Sequence, residues 1–315
     1  HDIGVRLGGA AATKVHETFI MRWQEASTLP KKTYITALGS EKSFNPSTIA
    51  NSGPLLPTST IAMTGTQNSV QITRTLMNVK VTKLFGLSKE WKYGWKTPEY
   101  RQGLQEIKHT LITAIKSATR YIYVEDQMFY YPAMVSWLFP AIVAAANRGV
   151  KVIFLTGGVW DSPGTPPGYP DQLKTDIVDK LTTPSNFKFF HLTGRVVHSK
   201  TTIIDDEFCL IGSANFMDRS MLVERSLLDA VFTGQPGLHL GVDSETSAAV
   251  VDAGTDLKAF RIRLWATHLV VNPAVPTVSA ELGDLTKALS IFDANWGDPL
   301  SFVYTNSLLN PVTIL

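Results

Sequence analysis

The chain has 315 residues, of which 44% are hydrophobic, enough to bury a large core in one big domain or two modest ones and to exclude a disordered chain. Its 29 basic and 27 acidic residues leave a formal charge of +2. That balance lacks the basic footprint of a protein built on nucleic-acid backbone contacts, so no nucleic-acid partner is predicted.

The single cysteine, Cys209, lies in the apolar run Phe208-Cys209-Leu210-Ile211, which excludes an internal disulfide framework or a Cys-based zinc site and reads as a buried thiol. No stretch reaches the roughly 18 apolar residues of a membrane span, so the chain is expected to be soluble or peripheral to a membrane. It opens at His1 without an initiator Met, a basic n-region or an apolar h-region. The expectation is that a signal peptide or upstream part has been removed or lies outside this sequence.

In chain order, Val5-Arg6-Leu7 alternates as a short strand, Gly8-Gly9 supplies a turn, and Val15, Phe19, Ile20 and Trp23 recur at helical spacing. Residues 26–70 are rich in Ser, Thr, Pro, Gly and Asn, the composition of a long excursion of loops and short strands. Order returns after Pro98. Leu104, Ile107, Leu111, Ile112 and Ile115 mark a helix, Tyr121 to Glu125 a strand, Val135 to Arg148 a helix closed by Gly149, and Val150 to Leu155 a buried strand. A Pro/Gly-rich loop follows, then a helix over 173–181 and a strand over 187–192.

Two further strands, 195–204 and 208–211, are joined by the acidic turn Asp205-Asp206-Glu207 as a hairpin. Residues 248–251 are strand-like, and 257–269 place Phe260, Leu264, Trp265 and His268 on one helical face, where they read chiefly as packing. From 270 onward the chain reads as an appendage. The alternation predicts an α/β fold, a mixed sheet flanked by helices on both faces.

The chemistry concentrates in Val197-His198-Ser199-Lys200 through Asp205, followed by Gly212-Ser213-Ala214-Asn215. Residues two apart on a strand share a face, so the His198 imidazole and the Lys200 ammonium converge while Ser199 points away. An imidazole with an unperturbed pKa of about 6.5 can attack phosphorus or hand a proton to a departing alcohol, and a lysine supplies positive charge for phosphoryl oxygens. Gly212 would let backbone approach the same pocket, and the Ser213 hydroxyl and Asn215 amide can donate to non-bridging oxygens. Glu125 and Gln127, at the end of a predicted central strand, read equally as ligand contacts or as strand-end capping. Trp91, Trp95, Phe129, Tyr130, Tyr131 and Trp160 read as an acyl-chain groove, an interfacial surface or routine core aromatics. No metal-binding cluster is readable, and no cofactor is expected.

The pattern H-x-K-x4-D-x6-G-S-x-N, matched at His198, Lys200, Asp205, Gly212, Ser213 and Asn215, resembles the HKD signature of the phospholipase D superfamily. Tyr123 to Phe129 is similar to that family's I-Y-I-E-x-Q-x-F strand, and Asp243-Ser244-Glu245 to its D-S-E segment. Phe260 to Leu269 resembles the F-R-x-R-L-W-A-x-H-L helix of the eukaryotic-type enzymes, and residues 1–23 the segment that trails a first HKD motif. None of His1, His16, His109, His191, His239 and His268 has a lysine two residues later, so one half-site is present.

The resemblance implies a phospholipase-D-like fold, two such repeats forming a pseudo-two-fold pair in a full enzyme. It implies residues 1–30 as the end of a first repeat, 31–100 as a loop-rich connection, 101–270 as the second, catalytic repeat and 271–315 as a C-terminal extension. It also implies hydrolysis of phosphatidylcholine-like lipids to phosphatidic acid and a free head group through a phosphohistidine, with transphosphatidylation as a further activity. A superfamily nuclease and an inactive binding module are the competing readings. His198 is expected to act as general acid and then base, with the roles of the two histidines open to exchange. Lys200, Ser213, Asn215 and Gln127 would bind phosphate. Glu245 would orient His198, Glu224 or Asp229 being the substitutes, and Asp205 would either touch substrate or brace its turn. The implied partners are a phospholipid substrate at a membrane surface and an upstream polypeptide carrying the first motif, or else a second copy of this chain.

Overall fold

The computed structural model describes residues 1–27, 32–35, 41–44, 68–76, 103–127, 137–157, 174–192, 196–222, 244–252, 255–294 and 309–311. Strands β1 (Lys32–Ile35) and β2 (Glu41–Phe44) form an antiparallel ribbon of their own. Nine more strands follow: β3 (Ser69–Leu76), β4 (Leu104–Gln105), β5 (Tyr121–Asp126), β6 (Lys151–Gly157), β7 (Phe187–Leu192), β8 (Lys200–Ile204), β9 (Phe208–Gly212), β10 (Glu245–Val251) and β11 (Leu309–Pro311). They make one mixed sheet in the order β11-β7-β6-β5-β8-β9-β10-β3-β4. β5, β6 and β7 run parallel; every other pairing is antiparallel.

Helices cover both faces, as the sequence predicts. Helix α1 (Gly9–Ser27) precedes the sheet, and α2 (Glu106–Ser117) and α3 (Phe139–Asn147) pack on one face. A short α4 (Asp218–Met221) is followed by α5 (Asp256–Leu269), α6 (Pro276–Gly283) and α7 (Leu285–Ala294) on the other. The central strand shows why both layers are needed. All six residues of β5 are buried; Ile122 and Val124 join Leu111, Ile142 and Phe154 under α2 and α3, whereas Tyr121 and Tyr123 join Trp265, Leu282 and Phe292 under α5, α6 and α7. Each such aliphatic or aromatic side chain contributes roughly 1.5–3 kcal/mol on burial, so a strand lined on both sides demands two covers.

The hairpin turn between β8 and β9 is built by its two aspartates. Asp205 and Asp206 both have positive φ, 58° and 61°, and Glu207 N–H donates to the Ile204 carbonyl at 3.0 Å, the pattern of a type I′ turn. The Asp205 carboxylate accepts from Thr119 N–H (2.7 Å) and hydroxyl (2.9 Å), Arg120 N–H (2.9 Å) and Tyr121 N–H (2.7 Å), which anchors the turn to the start of β5. Asp206 accepts Arg261 Nε at 2.6 Å and Nη2 at 3.0 Å and the Tyr121 hydroxyl at 2.8 Å. Burial first, then the Asp206 charge, pushes the Tyr121 phenol well above its ordinary value and keeps it a donor.

Several expectations are corrected. Residues 5–7 are not a strand: residues 1–8 have no regular structure, and a three-residue alternation offers too few ladder bonds to hold one. The helix expected over 173–181 is reduced, within the described residues, to one turn at 174–176 and a 3₁₀ turn Val178–Lys180. The Asn147 side chain captures Thr182 N–H at 2.8 Å, and the chain bends back toward β7. Strand β8 starts at Lys200, not Arg195, because His198 N–H bonds to the His1 carbonyl instead of a sheet neighbour. The described residues after 270 are not set apart from the core: Leu282, Ala288, Ile291 and Phe292 complete it around Trp265, and β11 extends the sheet. Likewise β3, from the loop-rich stretch, pairs with β10 over seven residues.

Candidate active site

Strand parity decides which side chains meet at the upper end of β5 and β8. Along 196–200 burial alternates: Val197 and Ser199 turn into the α5 side, while His198 and Lys200 turn the other way, His198 remaining exposed. In the β5–β8 register Lys200 stands opposite Asp126, and its Nζ donates to Gln127 Oε1 at 3.3 Å and to the His198 carbonyl at 2.6 Å. Burial lowers the Lys200 ammonium from its ordinary value, while Asp126, Asp2 and Glu245 pull it upward. Asp126 itself is buried and accepts Phe216 N–H at 3.0 Å.

The imidazole partner comes from the start of the chain. The His1 terminal ammonium donates to the Val196 carbonyl and the His1 carbonyl accepts His198 N–H, two bonds with the spacing of a parallel strand pair. This lays Asp2 beside the site, with Oδ2 2.9 Å from His198 Nδ1. The hydrogen bond from His198 holds the Asp2 carboxyl below its ordinary range. Nε2 of His198 has no partner among the described residues and is the nitrogen left to react.

Glu245 does not touch His198, contrary to expectation. Its carboxylate accepts the Ser213 hydroxyl and, at 2.7 Å, the Ser220 hydroxyl. The reason lies in the sheet: β10 is separated from β8 by β9, so Glu245 meets the residues that follow β9. Ser213 is correspondingly occupied, giving its proton to Glu245 and accepting Thr246 N–H at 3.2 Å, so its hydroxyl braces Glu245. Gly212 fits no side chain: a Cβ there would lie 2.0 Å from Ser247 Oγ and 2.5 Å from Ser247 Cα. Its close approach is thus to β10. The Asn215 amide has a buried Oδ1 without a partner among the described residues, a group whose hydrogen bond is left for something else.

Asp205 is not part of this cluster. It sits five residues along β8 from Lys200, roughly 17 Å at a strand's rise per residue, with its carboxylate consumed by the turn. Glu224, Asp229, Asp243, Trp91, Trp95, Phe129, Tyr130, Tyr131 and Trp160 lie outside the described residues. Sequence reasoning missed Asp2 and Asp126. Asp126 was findable, since it shares the strand end that singled out Gln127; Asp2, 196 residues from His198, offered no pairing signal of its own.

The site thus assembles a half-held imidazole, a half-buried ammonium and two amides at one strand end. Residues 111–232, which contain His198, Lys200 and Asn215, match the family model of the cardiolipin synthase, PLD-like domain. A 73-residue stretch is 41% identical to phospholipase D zeta 1 of Arabidopsis thaliana, covering 23% of this chain and 6% of that protein. An 85-residue stretch is 36% identical to phospholipase D A of Dictyostelium discoideum, covering 25% of this chain and 6% of that protein. The matched part is therefore a small fraction of those relatives' length. Among solved structures, a phospholipase D family member, Nuc from Salmonella typhimurium, overlays with a TM-score of 0.37 at 17% identity, covering 62% of this chain and 90% of that one. Phosphatidylserine synthase of Haemophilus influenzae Rd KW20 gives 0.36 at 13% identity, covering 68% and 41%. Residues 111–232 thus form a domain similar to those of the phospholipase D superfamily.

Proposed function

We propose that this chain supplies one half of a phospholipase D active site that cleaves phosphatidylcholine-like lipids. The observation that carries the reading is the Asp2–His198 pair: a carboxylate on Nδ1 fixes the ring and leaves Nε2 unengaged on the strand face that also carries the Lys200 ammonium. In the forward step a nucleophilic histidine of the other half forms a bond to phosphorus as the P–O bond to the head group breaks. His198 Nε2–H gives its proton to the departing alkoxide. In the second step His198 Nε2 takes a proton from water, whose oxygen attacks phosphorus and releases the histidine with phosphatidic acid; an alcohol in place of water gives transphosphatidylation. Lys200, Gln127 and Asn215 hold the non-bridging oxygens. His1, His16, His109, His191, His239 and His268 have no lysine in the H-x-K position, which is why the attacking group is assigned elsewhere.

Electrostatics supports the need for that other half. Three carboxylates, Asp2, Asp126 and Glu245, act on one lysine. Opposite and like charges a few ångströms apart near a protein surface interact by a few kcal/mol, so further positive charge beside Lys200 would favour a phosphodiester anion there. An upstream polypeptide bearing the first motif supplies it; a second copy of this chain is the alternative. The substrate would lie at a membrane surface, and no helix among the described residues is long and apolar enough to cross one.

The test is choline release from phosphatidylcholine vesicles by the purified material and by its His198→Ala variant, with DNA cleavage measured alongside and intact mass recorded for every polypeptide present. Choline release abolished in the variant is the expected result. Release that survives His198→Ala overturns the reading, and His198-dependent DNA cleavage without choline release replaces it with a nuclease. Net charge alone does not decide between the two, because it sums over the whole chain.

A further inference from the structure

Behind the Asp2–His198 pair, on the α5 side of the sheet, lies a buried polar cluster that the reaction above leaves unused. Glu125 is fully buried. Its Oε1 accepts the Tyr123 hydroxyl at 2.7 Å and lies 2.5 Å from His268 Nε2; its Oε2 accepts the Ser199 hydroxyl at 2.7 Å and lies 3.1 Å from His1 Nε2. The two imidazoles meet edge-on, with ring centroids 4.9 Å apart. Nδ1 of His268 is buried without a partner among the described residues, which places that ring's proton on Nε2, because a proton on Nδ1 would be an orphaned donor.

Two histidines and a carboxylate also invite comparison with a metal site. Ligand bonds of about 2.0–2.2 Å in a tetrahedral zinc centre hold the donor atoms about 3.3–3.6 Å apart. Separations of 2.5 and 3.1 Å, with two hydroxyl protons already directed at the same carboxylate, are the geometry of hydrogen bonding.

Where these bonds lead gives the cluster its meaning. Ser199 lies between His198 and Lys200 in the chain. His1 precedes Asp2, and its carbonyl holds His198 N–H at 2.7 Å. Each member of the Asp2–His198 pair is therefore one peptide unit from a side chain gripped by the same carboxylate. We propose that Glu125, seated by His268 of α5, is the positioning residue of this half-site: by fixing Ser199 and His1 it sets the His198 ring against Asp2. The proposal takes from the preceding section only that His198 is the reacting imidazole. The bond at issue, Nδ1–H to Asp2, forms without substrate or a second half-site.

The experiment is ¹⁵N NMR of the full chain with labelled histidine imidazoles, read with the rings neutral, for the wild type and for Glu125→Gln, His268→Gln, Ser199→Ala and Asp2→Ala. In the wild type His198 is expected as the Nδ1–H tautomer, and in Asp2→Ala as the Nε2–H tautomer. Glu125→Gln should move the population at least halfway to the Asp2→Ala value, and His268→Gln and Ser199→Ala in the same direction by less. In catalytically active material Glu125→Gln should also lower kcat by about 10–100-fold while leaving KM within about twofold, the behaviour of a support behind a reacting group. A His198 tautomer unchanged in folded Glu125→Gln overturns the proposal; should that variant not fold, an unchanged tautomer in both single-bond variants does so. Activity that survives His198→Ala, by contrast, removes the lipase reading and leaves the tautomer result standing on its own.

Discussion

Replacing Arg261 with leucine is expected to destabilise the chain by about 3–5 kcal/mol, because it strips the partner from a buried carboxylate. Arg261 and Asp206 are both buried, and the guanidinium meets Asp206 twice, at 2.6 and 3.0 Å, while its third nitrogen donates to the Leu282 carbonyl at 2.8 Å. It also lies over the Trp265 ring at 4.8 Å. The leucine keeps the apolar packing and leaves Asp206 with the Tyr121 hydroxyl as its donor among the described side chains. At about 2–4 °C per kcal/mol for a folding unit of 150–250 residues, the loss corresponds to a fall of about 6–20 °C in Tm, measured by circular dichroism and checked by the urea midpoint. The paired variant Arg261→Leu with Asp206→Asn removes the stranded charge and should recover a large part of the loss. A single-variant cost below about 1 kcal/mol, or no recovery in the pair, refutes this account of how the hairpin is tied to α5.

Gly212→Ala should cost roughly 1–3 kcal/mol in urea unfolding, since the new Cβ meets Ser247 Cα as well as its hydroxyl; an unchanged midpoint would mean β9 and β10 separate freely. Lys200→Met should raise Tm slightly, because burial depresses that ammonium, while lowering choline release by about 100–1,000-fold; a variant that retains turnover removes Lys200 from phosphate binding. For Asp2 the folded value lies below the ordinary one, so its pairing with His198 contributes stability that is present above the ordinary aspartate value and lost as pH falls through the lower, folded value. The Asp2 carboxyl carbon followed by NMR should therefore titrate low in the wild type and return upward in His198→Ala; coincident curves would mean the pair does not form.

The sheet was legible where the sequence carried two independent signals. β5, β6 and β7 announced themselves as short apolar runs bounded by turn residues, and the H-x-K spacing alone put His198 and Lys200 on one face and Ser199 on the other. Asp2 was illegible because its role depends on residues 1–2 pairing beside 196–198, a contact across nearly two-thirds of the chain that no local pattern encodes. Arg261 was hidden for a related reason: a cation on the buried face of α5 makes sense only once Asp206 is known to turn inward beneath it. Helices α6 and α7 were passed over because their apolar positions serve a patch of core left open by Tyr123 and Trp265.

The two ends of β8 are made differently, and the difference bears on function. At the turn, Asp205 and Asp206 carry four and three close donors, a degree of satisfaction that fixes position and leaves nothing for a ligand. At the opposite end, Lys200 is desolvated with one amide and one carbonyl for company, half of the His198 ring is unengaged, and Asn215 holds an oxygen with no partner among the described residues. Of these, Asn215 Oδ1 is the buried group left unmet, at a cost of about 1–3 kcal/mol, while His198 faces solvent and Lys200 is half-buried. An anion with several oxygen acceptors can meet donors of Lys200 and His198 without displacing any bond that the turn needs, so binding is separated from folding along a single strand. That separation gives the motif's aspartate a role far from its histidine: Asp205 braces the turn from which β8 departs, and the register of β8 decides which face receives the imidazole.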